Sequence, residues 1–219
     1  MSIEKENLRR LGIYAGLLGP AIGLLSVMVA IYFAPWFNWT EFALSDLGVG
    51  ELPGRIARSA PSNGLHIFIF NTGMMVAGIG LALFVFLTRS LHIRTCHYDS
   101  IMSKIGYSLI FIGGLNLALV GLFPIPSPLH FPVAAIYFIA TPIGLVFVGG
   151  SYLSESRNFG ILLILIGIVA FLSIVEIVAP YLLDLYSEGI AIPEMVEATL
   201  LSLGAWLISY RFWSQESKK

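Results

Sequence analysis

Asp46, His66, His130, Glu176, Glu194 and Glu197 are the ionisable side chains that fall within or beside long hydrophobic runs of this chain. An ionisable group at membrane depth is costly and marks a functional candidate by default. Imidazole beside carboxylate is the equipment of general acid–base catalysis. Asp46 and His130 are the pair expected in that role, with the hydroxyl of Ser45 next to them in Leu44-Ser45-Asp46-Leu47-Gly48. The same side chains suit zinc or a similar divalent metal: His66, His130 and Asp46 would leave a fourth position open for an activated water. No HxxxH or HExxH spacing occurs, and His66 and His130 stand 64 positions apart, so only the fold can join them. Asn71, Glu176 and Glu197 complete the set as polar groups placed to bind a substrate. Each candidate also has a plainer role. Ser45-Asp46 is a helix-cap or turn-forming pair, a histidine opening a helix is often an interfacial hydrogen-bonding residue, and Asn71, Asn116 and Thr141 suit bonds between helices. Asn71 lies roughly 140° around a helix from His66, so the two do not share a narrow stripe.

The elements that must position these groups follow from composition. The chain has 219 residues, of which 57% are hydrophobic and 11% charged, with a mean hydropathy of +0.87. A soluble domain carries about 25% charged residues and cannot hide this much apolar surface in one core. The net charge of −1 excludes a nucleic-acid binder, which needs a basic field to neutralise phosphates. The single cysteine, Cys96, cannot form an internal disulfide. An apolar helix of about 20 residues crosses the hydrocarbon, and six runs reach that length, near 11–33, 66–87, 105–123, 131–149, 160–183 and 192–210. The expected fold is an all-α bundle of six transmembrane helices in a single domain filling residues 1–219.

Ten of the twelve Lys and Arg fall on one side of these spans, leaving Arg55 and Arg58 on the other. The positive-inside rule then places both termini in the cytoplasm of a multi-pass plasma-membrane protein. Trp36, Trp39 and Tyr181 are expected at the outer interface, and Tyr107, Tyr152, Trp206 and Trp213 toward the inner one. The longest connection, residues 34–65, is outside and rich in turn residues such as Pro53-Gly54 and Pro61-Ser62-Asn63-Gly64, which suggests an ordered cap. In this topology the candidate acids and histidines gather toward the outer face. Shifting the second span by 64 positions lays Leu65-His66 on Leu129-His130 and Ile79-Gly80-Leu81 on Ile143-Gly144-Leu145, a pattern that repeated helical hairpins would give. Gly73, Gly78, Gly80, Gly113-Gly114 and Gly149-Gly150 suit close helix crossings.

The series Leu44-Ser45-Asp46-Leu47-Gly48, Asn71-x-Gly73 and Gly121-Leu122-Phe123-Pro124 followed by His130 resembles the prokaryotic integral membrane family known as domain of unknown function 998. The resemblance runs from Gly16 to about Tyr210. It implies a six-span fold and brings no established activity, cofactor or catalytic residue. Ser45, Asp46, Asn71 and His130 match its pattern, whereas His66, Glu176 and Glu197 have no place in it. Three functions stay open: a membrane-embedded hydrolase or transferase acting on lipid-type substrates, a small transporter, sensor or ligand-binding protein, and a structural partner of other membrane proteins. The expected partners are the bilayer and a lipid or small-molecule ligand arriving from the outer side.

Overall fold

The computed structural model describes residues 3–49, 64–95, 100–182 and 189–216, and side-chain surroundings within 6–49, 64–89, 101–175 and 189–215. Arg55, Arg58, Cys96 and most of the expected cap lie outside these ranges, as do the side chains of Glu176 and Tyr181. Six helices are long and apolar enough to cross a membrane. They are α1 (Ile3–Tyr32), α2 (Leu65–Thr95), α3 (Ser100–Leu122), α4 (His130–Tyr152), α5 (Arg157–Leu182) and α6 (Ala191–Glu216), with a short 3-10 helix, η1 (Leu44–Gly48), between α1 and α2. α1 starts before its apolar run and α2 continues past its own, because a helix need not end where the hydrocarbon does. In the first turns of α1, Arg10 pairs with Glu6 at 2.6 Å, four residues apart on one face.

Each helix packs on its neighbours in sequence, and α6 returns against α1, so the six close a ring. Trp206 stitches the closure by donating its Nε1–H to the carbonyl of Leu17 at 2.8 Å. Lipid is as apolar as leucine, so close packing rather than hydrophobic burial holds such helices together. α2 and α3 show how. A methyl group at Gly78 would collide with the backbone of Ala118 and approach the Gly114 carbonyl to 2.5 Å. α4 and α5 cross in the same way, a Cβ at Gly149 meeting the Gly160 carbonyl at 2.7 Å.

Two apolar cores fill the ring. One, containing Phe84, Tyr107, Tyr152, Leu163, Ile208 and Phe212, draws on all six helices. The other, containing Val27, Ala30, Leu47, Phe70, Met74 and Ala191, lies under η1. Tyr107 and Tyr152 are 2% and 1% exposed, with their rings turned into the bundle. Arg211 lies over the rings of Tyr152 and Phe159 at 5.0 and 4.8 Å and pairs with Glu155 at 2.7 Å. This locks the end of the bundle away from η1. α2 and α4 open on the two histidines that the 64-residue shift aligns. Any alternating bundle would put two even-numbered helices in one direction, so this carries no case for duplication.

Candidate functional site

The site is built around η1, which its own side chains fold and two helices grip. Asp46 is 2% exposed. Its Oδ2 accepts the Ala43 N–H at 3.0 Å while its own N–H donates to the Ala43 carbonyl at 3.1 Å, closing the turn from both sides. Leu47 is fully buried beneath it. Gly48 lets the end of η1 press on α2: a Cβ there would run into the side chain of Asn71 and come within 2.9 Å of Phe70. In that tight contact Asn71 Nδ2 donates to the Gly48 carbonyl at 2.9 Å. From the other side, Glu194 Oε2 accepts the Leu44 N–H at 2.5 Å. The N–H groups of Ile190 and Ala191 donate to the Phe42 carbonyl at 3.1 and 2.9 Å. The start of α6 is thereby clipped to the segment that leads into η1.

His130, 8% exposed, opens α4. Its Nδ1 lies 2.9 Å from the carbonyl of Phe123, at the end of α3. A carbonyl only accepts, so Nδ1 carries the hydrogen, and the neutral ring presents Nε2 as its basic nitrogen. Asp46 interacts electrostatically with both His130 and Glu194, and Glu194 with Glu197, which in turn acts on Tyr137. Asp46, His130 and Glu194 thus gather at the η1 end of the bundle within reach of one another's charge, but not close enough together to hold a metal ion.

Below this cluster lies a cavity of about 100 Å³, far more than the roughly 10–15 Å³ that a single water needs. It sits where the two apolar cores adjoin. Leu24 and Val27 of α1, Phe70 and Met74 of α2, Leu117 of α3 and Leu201 of α6 line its walls, and Ser45, His130 and Glu194 line it at the η1 end. Ser202 also faces it, with its hydroxyl committed to the Ala198 carbonyl at 2.7 Å.

Several expected site residues lie elsewhere. His66, 2% exposed, packs edge-on against Trp36 with ring centroids 5.7 Å apart, in the aromatic layer with Phe37 and Phe42. It does not line the cavity that His130 lines. Among the described residues no group of three His, Cys, Asp or Glu is close enough to hold a metal ion, so His66, His130 and Asp46 do not form such a group. Asn71 grips η1 from outside the cavity. Glu197 is fully buried, and neither carboxyl oxygen has a hydrogen-bond partner among the described residues. The side chain of Glu176 lies outside them. Sequence reasoning placed Glu194 at membrane depth without giving it a role. A carboxylate in the first turn of an apolar helix was the available signal, but its partner Leu44 is 150 positions away.

A ring of six membrane-spanning helices with an apolar cavity, closed at one end by a gripped 3-10 turn and a polar cluster, defines a multi-pass membrane protein. Residues 17–210 match the family model described as protein of unknown function (DUF998), and the chain belongs to that family. No curated protein and no solved structure matches it. The residues that carry the family resemblance are joined in the fold. Asn71 ties Gly48 through its side chain and packs its own carbonyl against Gly121, and Phe123 holds His130.

Proposed function

We propose that the protein binds a lipid-type amphiphile, with the apolar part in the cavity and the polar part at Ser45, His130 and Glu194, and acts on it as a membrane-embedded hydrolase or transferase. One observation carries this reading: a largely apolar pocket between the helices ends on a serine, a histidine and a carboxyl group. Walls of leucine, valine and phenylalanine favour an apolar guest. The positive-inside reading of the Lys and Arg distribution supports an outer-face position for the polar end, where a headgroup lies. The chemistry follows from the tautomer of His130. Nε2 can take a proton from an attacking hydroxyl, the nearby charge of Asp46 stabilises the imidazolium that forms, and the proton then passes to the leaving oxygen.

The test is retention and turnover measured together. Wild-type protein purified in a short-chain detergent should keep an extractable amphiphile, and Ala198→Phe, which fills the cavity wall, should lose it. His130→Gln should keep the amphiphile and lose turnover of membrane lipid extract. An empty wild-type protein would remove the binding reading, and unchanged turnover in His130→Gln would remove the catalytic one.

A second reading, a transporter or sensor responding to a proton or cation, draws on Glu197. An ionised carboxylate buried without a partner is strongly disfavoured, so this side chain needs a proton or a cationic ligand. Binding of an organic amine that vanishes in Glu197→Gln would favour it; equal binding by both proteins would count against it.

A further inference from the structure

A second polar opening lies at the opposite end of the bundle, where α2 approaches its connection to α3. The backbones of these helices touch at Gly78, Gly114 and Ala118. Farther from η1 the pair opens into a cleft of about 590 Å³ lined by Val85 and Arg89 of α2 and by Ser103, Lys104, Tyr107, Ser108, Phe111 and Ile112 of α3. The cleft has two chemical halves. Arg89 and Lys104 provide two positive charges, and neither has an ion-pair partner among the described residues. Arg89 extends over the ring of Phe86, 5.5 Å from its centroid. Ser103 is 1% exposed, lines the cleft, and its hydroxyl has no hydrogen-bond partner among the described residues. A buried hydroxyl left unbonded is unfavourable unless something comes to meet it. Val85, Phe111 and Ile112 form the apolar half.

We infer that this cleft binds the phosphate of an anionic phospholipid, held by Arg89, Lys104 and the Ser103 hydroxyl, with an acyl chain along Phe111 and Ile112. The shared chemistry is a phosphate anion. The apolar half favours a lipid over free phosphate, because only a lipid fills both halves of the cleft. Basic pockets between transmembrane helices are a recurrent form of lipid headgroup site. This inference is independent of the cavity under η1, which lies at the other end of the bundle and is lined by different residues.

The experiment is native mass spectrometry of the full chain titrated with dioleoylphosphatidylglycerol, with dioleoylphosphatidylcholine, or with phosphatidylglycerol in the presence of excess inorganic phosphate. Wild type should bind phosphatidylglycerol in preference to phosphatidylcholine, and inorganic phosphate should not displace it. Arg89→Gln and Lys104→Gln should each weaken phosphatidylglycerol binding about fivefold, and Ser103→Ala roughly tenfold, as loss of a hydrogen bond to a charged group predicts. Ser103→Ala removes a hydroxyl that nothing in the described structure pairs, so it keeps the test valid if a charge variant fails to fold. Arg157→Gln, which alters a basic residue outside the cleft, should leave binding unchanged. Equal binding of the two lipids, displacement by inorganic phosphate, no effect of Ser103→Ala, or an equal loss in Arg157→Gln would each overturn the assignment.

Discussion

Removing the Glu194 carboxylate should release η1 without unfolding the bundle. In Glu194→Ala the buried Leu44 N–H loses the acceptor that holds it at 2.5 Å. Leaving a buried N–H without its acceptor costs about 1–3 kcal/mol. The middle of that range, about 2 kcal/mol, is the working figure. Converted to a local opening equilibrium, this is roughly thirtyfold. Glu194→Gln keeps an acceptor oxygen at the same place and should change the equilibrium far less, by no more than about fivefold. The assay is hydrogen exchange by mass spectrometry on peptides covering residues 43–48, with the middle of α3 as internal reference. Exchange should accelerate by these factors in η1 and stay constant in α3, where Gly78 and Gly114 hold the helix crossing. An unchanged rate in η1, or an equal rise in α3, would refute the view that Glu194 specifically secures this turn.

Other consequences follow from the packing. Gly78→Ala places a methyl group against the backbone of Ala118, and such overpacking typically costs about 1–3 kcal/mol; thermal unfolding in detergent should begin at a lower temperature than in wild type. Trp206→Phe loses the bond to the Leu17 carbonyl, about 1 kcal/mol, together with part of the indole's packing, so the same assay should also show a drop. Glu197→Leu replaces a buried carboxyl that has no partner among the described residues with an apolar group; stability should hold or rise, and a clear fall would reveal a partner for that side chain.

The six spans were legible because an apolar run of membrane length leaves little choice to a backbone that must satisfy its own hydrogen bonds. Small residues were legible as crossings for the same reason, and Gly78 and Gly149 act as such. Asp46 was half legible. Its turn-forming role is local and follows from its neighbours, whereas its electrostatic reach to His130 and Glu194 depends on α4 and α6. His66 and His130 looked equivalent because each opens an apolar helix. Their surroundings differ through residues distant in sequence, Trp36 beside one and the Phe123 carbonyl beside the other. The cavity was invisible at the sequence level. Its walls are ordinary leucine, valine, phenylalanine and methionine, and only the ring closure of α6 on α1 decides which of them face inward.

The most direct test of an amphiphile in the cavity is photolabelling in a reconstituted bilayer with a lipid that carries a diazirine on its acyl chain, followed by residue-level mapping. Leu25, Phe68 and Leu165 are 63%, 68% and 54% exposed and should be labelled by bulk lipid in any case. Occupancy of the cavity should add labels at Val27, Phe70, Met74 and Leu201, which line it, and Ala198→Phe should abolish those labels alone. Labels confined to the exposed residues, with none on the cavity walls, would contradict the proposed function.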